Sequence, residues 1–401
     1  MSLPEVDPAG GVTSAQGFQA GAVYAGVKTY GEGKLDVAIL ASNSNCSVAA
    51  TFTRTRLHSA AIDVNRARLA GRGLAQAVVV NAGVANSSTG ERGLADAQAM
   101  TELTARKLGL AAEDVLVCST GVIGHYLPMD KLAAGIAAIE LSPLAGPDFA
   151  RAIMTTDTRP KQGAVRFGPY LLGGAAKGSG MIHPNMATML AFLATDAPVA
   201  PAYLQRCLSD AVERSFNLVS VDGDTSPSDT VLLFANGAAG GDMIDEGTPY
   251  AVELGAAVEA LCVYLAKEMA RDGEGATKLV EATVEGAATD EDARALVRLL
   301  TTSYLLKSAI HGADPNWGRI AAVIGRSGIA YEETDVTIGI CGVRVFERKQ
   351  PTSFDPAEVA GAMQADHVTL EVGLGSGIGA ARGWGCDLSA DYVKINADYH
   401  T

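Results

Sequence analysis

Short apolar runs separated by glycine-rich and polar turns fill much of the first half of the chain. Residues 35–40 and 48–52 are predicted to form two separate strands, because each apolar run is bounded by polar positions. Residues 77–80 and 115–118 are apolar throughout, which is also typical of strands. The sequence therefore predicts a sheet in this half of the molecule.

Apolar residues at helical spacing predict helices at 94–108, 252–271 and 290–306. Gly109 follows the first helix in the position of a C-terminal cap, and Thr289 precedes the third as an N-cap. The helices and strands alternate too irregularly for a doubly wound parallel sheet. We therefore do not predict that fold.

The functional interpretation depends on residues 177–196, which read KGSGMIHPNMATMLAFLATD. Lys177 opens a glycine-spaced turn, Pro184 disfavours a helix immediately before it, and the residues after Ala187 become apolar. Thr188 therefore lies where a constrained loop enters the core. Local chemistry alone favours a strand-start or cap residue. The alternative is a nucleophile freed by cleavage of the Ala187–Thr188 bond, whose own α-amine, with an ordinary pKa of about 7.7–8.0, accepts the hydroxyl proton.

Three other polar turns are candidate parts of a site. Thr120 and Gly121 follow a predicted strand, and uncovered N–H groups there would suit an oxyanion hole. Residues 154–161, MTTDTRPK, place hydroxyls, a carboxylate and two cations in one loop that is suited to a zwitterion. Glu274 lies in a glycine-flanked turn from which it can reach the ammonium group of a ligand. Ordinary strand ends and solvated loops explain the same residues as well.

Composition and charge narrow the class of function. The net charge of −14 gives no sequence-wide attraction to nucleic acid or to an anionic membrane, and no apolar run has the length of a transmembrane helix. The six cysteines form no C-x-x-C pair and are expected to be reduced, mostly buried thiols. The six histidines are dispersed, so no metal site is predicted. The first residues lack a signal-peptide pattern, and we expect a cytoplasmic protein.

Taken in order, these motifs resemble those of the ornithine acetyltransferase family, also called the bifunctional glutamate N-acetyltransferase/amino-acid acetyltransferase (ArgJ-type) family of arginine biosynthesis. Each motif is modest alone, but their shared order and spacing over residues 119–401 make the resemblance specific. The motifs are STGVIG at 119–124, MTTDT at 154–158, KGSGM at 177–181, ATML at 187–190, DGEGATK at 272–278, DPNWGR at 314–319 and NADYHT at 396–401.

The resemblance implies an α+β fold, an ArgJ/DmpA-like layered αββα structure with a self-cleaved, Ntn-like threonine nucleophile. Cleavage between Ala187 and Thr188 would give an α fragment (1–187) and a β fragment (188–401) that interlock in one catalytic unit. Two α and two β fragments would assemble as a heterotetramer. The implied reaction moves an acetyl group from N2-acetyl-L-ornithine to L-glutamate through an acetyl-Thr188 intermediate, without a cofactor. Whether acetyl-CoA also serves as acetyl donor is left open.

The resemblance also assigns roles by motif. Thr188 would be the nucleophile, and Thr120 and Gly121 would form the oxyanion hole. Lys177 for a carboxylate and Glu274 for an ammonium group would be complementary to an amino-acid substrate. The substrate-binding residues would be Thr155, Lys177, Thr188, Glu274, Asn396 and Thr401.

Two other functions compete with this one. A self-processing aminopeptidase or amidase of the same architecture would pass its acyl group to water instead of an amine. A non-catalytic ligand-binding protein would keep the pocket and never cleave itself. The Ala187–Thr188 pair favours the transferase, because the related hydrolases carry serine at the cleavage point.

Overall fold

A computed structural model of the chain describes residues 3–28, 33–183 and 189–398. Ala187, Thr188 and Thr401 lie outside the described residues, so the predicted cleavage site, nucleophile and last substrate contact have no structural account. The described strands are β1 (Phe18–Val23), β2 (Val37–Phe52), β3 (Leu74–Val84), β4 (Val115–Val122), β5 (Lys161–Phe167), β6 (Tyr170–Lys177), β7 (Leu190–Thr195), β8 (Val219–Ser220), β9 (Thr230–Ala235), β10 (Leu279–Ala287), β11 (Thr337–Ile340), β12 (Val343–Glu347), β13 (Gln350–Pro351), β14 (His367–Gly373) and β15 (Gly379–Cys386).

The described helices alternate with these strands. They are α1 (Ala60–Leu69), α2 (Gly90–Leu108), α3 (Met129–Ala138), α4 (Gly146–Ala152), α5 (Pro201–Glu213), α6 (Ala251–Arg271), α7 (Asp290–Thr302), α8 (Tyr304–His311), α9 (Trp317–Gly325), α10 (Pro356–Ala362) and α11 (Ala390–Asp398). The predicted helices at 94–108 and 252–271 are confirmed as α2 and α6. The helix predicted at 290–306 is two helices, because Ser303 has extended backbone and its hydroxyl caps α8 at Leu306.

The first sheet has the strand order β4-β3-β2-β9-β7-β6-β5, with β1 paired to β2. The prediction of two strands between residues 35 and 52 was wrong, because β2 is one long strand. Its first half pairs with β3 and its second half with β9, and the register with β3 shifts between Ala41 and Cys46. The polar residues in that interval are largely exposed, which is why they interrupt the apolar pattern without ending the strand.

This sheet folds back on itself. β4 and β6 are five steps apart in the strand order, about 24 Å in a flat sheet at ~4.8 Å per step. Nevertheless Lys177 Nζ, at the end of β6, lies 3.2 Å from Thr120 Oγ1 near the end of β4. The two halves of the sheet therefore face each other, and one buried core joins Leu116 of one half to Phe192 of the other.

Helices cover the outer face of each half. Residues of β2, β3 and β4 pack against Met100 of α2 and Ile136 of α3, whereas Leu193 of β7 packs against Leu208 of α5 and Leu261 of α6. The order of layers is helix, sheet, sheet, helix. The predicted α+β fold with αββα layers is confirmed.

A second sheet, with the order β13-β12-β11-β14-β10-β15-β8, packs on the far side of α6. Its opposite face is covered by α7, whose Leu296 and Leu300 join the same core as Val280 of β10. Helix α6 thus lies between the two sheets and ends at Arg271, immediately before the turn that carries Glu274.

Two expectations about the whole chain can be compared with the structure. The six cysteines are free thiols and five of them are buried, as predicted. Among the residues that the structure describes, no helix combines the length and apolar character needed to cross a membrane.

Candidate active site

A pocket of about 560 Å³, including its open mouth, lies where the ends of β4 and β6 meet the turn after α6. All six candidate site residues that fall within the described ranges line it, although they come from points as far apart as residues 120 and 396. The described lining residues are Thr120, Gly121, Ile123, Thr155, Thr156, Lys177, Gly180, Met181, Ser226, Ser228, Glu274 and Asn396.

Thr120 and Gly121 lie within β4, which continues to Val122 rather than ending at residue 118 as predicted. In the described part of the chain β4 is the edge strand of its sheet, so alternate N–H groups along it point away from β3. Gly121 has φ +126°, and a Cβ there would overlap the backbone of Gly83 on β3. Only glycine fits this position, so no side chain from residue 121 occupies the pocket.

Lys177 supplies the positive charge of the pocket. Its side chain is buried, and Nζ donates to the Thr120 hydroxyl at 3.2 Å. Burial lowers the pKa of Lys177, while the carboxylates of Asp157, Asp229 and Glu274 act in the opposite direction. A buried ammonium group is not solvated by water and is stabilised by a nearby negative charge. A carboxylate ligand in the pocket would supply that charge.

Glu274 supplies a negative charge on the same pocket. It is buried rather than solvated, its N–H donates to the Ser179 carbonyl at 2.9 Å, and Oε2 accepts from Asn396 Nδ2 at 2.8 Å. The glycines beside it were expected to clear the space around this carboxylate. The glycine that makes room for the carboxyl group is instead Gly180, because a Cβ at that position would overlap the Glu274 carboxyl group.

The polar loop at 154–161 contributes less to the pocket than its composition suggested. Lys161 is fully buried and pairs with Asp157 and Asp272, each at 2.6 Å, and Arg159 pairs with Glu268 at 3.0 Å. Neither cation is free to bind a zwitterion, so that interpretation was wrong for them. Thr155 and Thr156 are the members of this loop that line the pocket.

Asp157 organises this side of the pocket. Its carboxylate accepts from the N–H groups of Thr155 at 3.0 Å and Gly178 at 2.7 Å, which ties the threonine loop to the end of β6. Burial alone would raise the pKa of Asp157, but Lys161, Lys177 and the Gly178 N–H together hold it below the ordinary range. No local sequence pattern indicates that this carboxylate is structural.

Sequence reasoning missed the contribution of residues 220–230. Ser226 and Ser228 line the pocket, and Ser228 Oγ is buried without a hydrogen-bond partner among the described residues. The sequence DGDTSPSDT begins like a calcium-binding loop, but its proline and strand-like flanks argue against one. Its serines, flanked by apolar strands, were the signal that this loop faces a ligand.

The chemistry available here is that of acyl transfer. An ammonium group, a carboxylate and an edge strand with Thr120 and Gly121 surround one cavity. Such a cavity can hold both charged ends of an amino acid beside N–H donors for a developing oxyanion. Within residues 3–28, 33–183 and 189–398 no group of three or more His, Cys, Asp or Glu side chains could hold a metal ion.

Comparison with known proteins gives the family. Residues 19–401 match the ArgJ family model. The chain is 46% identical over 401 residues to the arginine biosynthesis bifunctional protein ArgJ of Dehalococcoides mccartyi, with 99% of each chain covered. It is 47% identical over 399 residues to the protein of the same name from Symbiobacterium thermophilum, covering 98% of this chain and 99% of the relative.

A solved structure agrees with the sequence relatives. The crystal structure of the arginine biosynthesis bifunctional protein ArgJ from Bacillus halodurans has a TM-score of 0.51 and 41% sequence identity, and the match covers 52% of this chain and 98% of the solved one. With nearly the whole chain matched at more than 40% identity, this protein belongs to the ArgJ family.

Proposed function

We propose that this protein transfers the acetyl group of N2-acetyl-L-ornithine to L-glutamate through an acetyl ester on Thr188. It is an acyltransferase of arginine biosynthesis. The observation that carries the finer proposal is the placement of Lys177 and Glu274 on one pocket, beside Thr120 and Gly121. Both substrates carry an α-carboxylate for Lys177, and acetylornithine also carries a side-chain ammonium for Glu274.

The nucleophile is generated by self-cleavage. The Thr188 hydroxyl attacks the carbonyl carbon of Ala187, the Ala187–Thr188 amide bond breaks, and the hydroxyl proton passes to the departing nitrogen. Water then hydrolyses the resulting ester, which releases the Ala187 carboxylate and leaves Thr188 with a free hydroxyl and a free α-amine. This amine is the base of the later steps.

Acetyl transfer then proceeds in two halves. Thr188 Oγ attacks the acetyl carbonyl of acetylornithine while its proton passes to the α-amine, and ornithine leaves with that proton. The amine of glutamate attacks the acetyl ester, and N-acetylglutamate leaves as Thr188 recovers its proton. In both halves Thr120 and Gly121 form the oxyanion hole, where removing one donor costs about 10²–10³ in rate.

The remaining groups bind the substrates. Lys177 pairs with the α-carboxylate, Glu274 pairs with the side-chain ammonium of ornithine, and Thr155 and Asn396 complete the described side of the pocket. Thr401 is carried over from the family motif alone.

Steady-state kinetics test this function. Acetylornithine and glutamate should give parallel lines in double-reciprocal plots, because each half-reaction is complete before the other begins. Intersecting lines would contradict the acetyl-enzyme. Rapid release of acetate without glutamate would favour the amidase alternative, and glutamate acetylation from acetyl-CoA would show whether the enzyme also starts the pathway.

Assembly is a separate proposal. We expect two α and two β fragments in a cytoplasmic heterotetramer. Native mass spectrometry of the purified protein should give twice the mass of one cleaved chain. A mass equal to one cleaved chain at micromolar concentration would contradict it.

A further inference from the structure

The connection between the two sheets holds the chain on both sides of the predicted cleavage site. We name residues 220–230 the bracing loop; it runs from the end of β8, in the second sheet, to the start of β9, in the first. On one side it contacts residues 181–183, and on the other it contacts Met189. The five residues between these contacts, 184–188, contain the Ala187–Thr188 bond.

The upstream contact is made by Asp222. Its carboxylate oxygens accept from the N–H groups of Met181 at 2.6 Å and Ile182 at 3.0 Å. The Ile182 carbonyl in turn accepts from Val221 N at 2.8 Å. Both oxygens of the carboxylate are therefore used, and Asn at this position could offer only one acceptor.

Met181 is held in a costly backbone conformation. Its φ is +56°, a value that residues other than glycine rarely adopt. This conformation is less populated than the ordinary ones by on the order of a factor of ten. The hydrogen bond from its N–H to Asp222 opposes that cost. The chain therefore approaches the cleavage segment in a direction that Asp222 helps to fix.

The downstream contact is made by Asp229. Oδ1 accepts from Met189 N–H at 2.9 Å, and the Met189 carbonyl accepts from Thr230 N at 3.1 Å. Asp229 is fully buried, and burial raises its pKa well above the ordinary range. Asn at this position would keep a carbonyl oxygen that can accept from the Met189 N–H. Met189 directly follows Thr188 in the sequence, so this contact is made by the residue next to the proposed nucleophile.

The bracing loop is itself fixed from the second sheet. Lys307 and Tyr304 of α8 donate to the carbonyls of Val221 and Asp222, and Ser220 pairs with Gly385 of β15. These contacts tie residues 220–222 of the loop to the second sheet. Its two carboxyl groups accept from the N–H groups of Ile182 and Met189, which lie on either side of segment 184–188 in the sequence.

We propose that Asp222 and Asp229 are positioning residues for self-cleavage, which hold the ends of segment 184–188 so that the Thr188 hydroxyl meets the Ala187 carbonyl. This inference rests on the proposed function, since it names residues that serve the cleavage step given above. An error of about 1 Å in the placement of reacting groups can lower a rate by about 10²-fold. Loss of either contact should therefore slow cleavage even where the fold is intact.

The test follows conversion of the full-length chain into the 187- and 214-residue fragments during in vitro synthesis, by denaturing gel and mass spectrometry. Asp222→Asn should slow conversion at least tenfold, because one acceptor is lost. Asp229→Leu should slow it similarly, whereas Asp229→Asn should stay within about threefold of the wild type, because it keeps the acceptor for Met189. Asp224→Asn is the matched control, since Asp224 is an exposed carboxylate of the same loop.

Thermal unfolding of each purified variant shows whether it has folded. Normal conversion in a folded Asp222→Asn variant would overturn the inference for Asp222. Equal slowing by Asp229→Asn and Asp229→Leu would overturn the acceptor role of Asp229. If the wild-type chain itself stays intact, the proposed self-cleavage fails; if the wild type cleaves and these variants cleave equally fast, only the positioning role fails.

Discussion

The side-chain amide of Asn396 donates a 2.8 Å hydrogen bond to Glu274 Oε2, although 122 residues separate the two. Asn396 lies on α11, near the end of the described chain, and Glu274 lies in the turn after α6. The bond orients one oxygen of a buried carboxylate. A second partner with a positive charge, such as the ammonium group of ornithine, would complete its hydrogen bonding.

Glu274→Gln tests this pairing. The substitution removes the charge and keeps the shape, so KM for acetylornithine should rise about 10- to 100-fold, as expected for a lost charge-assisted hydrogen bond of about 1.5–3 kcal/mol. Glu358→Gln, on the exposed face of α10, should leave KM unchanged. Unchanged kinetics in a folded Glu274→Gln protein would remove Glu274 from the substrate site.

Gly180→Ala tests the space that the carboxylate requires. A Cβ at residue 180 would overlap the Glu274 carboxyl group and displace it. We expect a rise in KM for acetylornithine of tenfold or more, with a small change in thermal stability. Gly325→Ala is the matched control, since a Cβ there meets nothing within 4 Å. Equal kinetics for the two alanine variants would contradict the geometry described for this pocket.

The ion triad beneath the threonine loop should dominate local stability. Lys161→Met leaves Asp157 and Asp272 buried without their cation, and breaking such a buried pair costs about 3–5 kcal/mol. Arg206→Ala, which breaks an exposed pair with Glu246, should cost less than about 1 kcal/mol. Chemical unfolding of both variants gives the comparison, and similar losses would contradict the assignment of the triad as buried.

Asp222 should also give the protein a characteristic dependence of stability on pH. Burial raises the pKa of Asp222 to about 6, and the nearby carboxylate of Glu274 raises it further. The N–H groups that donate to Asp222 lower the pKa but do not offset the effect of burial. An acid whose folded pKa is raised stabilises the protein below its unfolded pKa of about 3.9, and this stabilisation is lost as pH rises through about 6.

Asp222→Asn should remove that dependence. The unfolding free energy of the wild type relative to the variant should fall by on the order of 2 kcal/mol between pH 4 and pH 7. Asp224, Glu274, Tyr304 and Tyr392 face the same carboxyl group and are retained in both proteins, so their titration largely cancels in the difference. A difference that is constant or rises with pH would contradict the assignment.

Sequence patterns identified several of the elements but not the bend in the first sheet. The stripe of apolar residues in α6 and the glycine after α2 predicted those helices correctly, because local chemistry determines them. The continuity of β2 was missed, since its exposed middle is polar. The return of β6 onto β4 depends on long-range packing that has no local signal.

The same distinction holds for the site. Motif order brought Thr120, Lys177, Glu274 and Asn396 into one hypothesis, and the structure places all four on one pocket. Composition could not show that Lys161 forms ion pairs with two buried aspartates, because one of them, Asp272, is 111 residues away in the sequence. The contact of Asp222 with Met181 was missed for the same reason. Two loops that meet only in the folded protein have no characteristic spacing in the sequence.

The most direct test of the central claim is the mass of the fragment that begins at Thr188. The cleaved enzyme mixed with acetylornithine alone should gain one acetyl group on the 214-residue fragment, and addition of glutamate should remove it with formation of N-acetylglutamate. The acetyl group should map to residue 188. An active enzyme that never carries this mass, or carries it on another residue, would contradict the account.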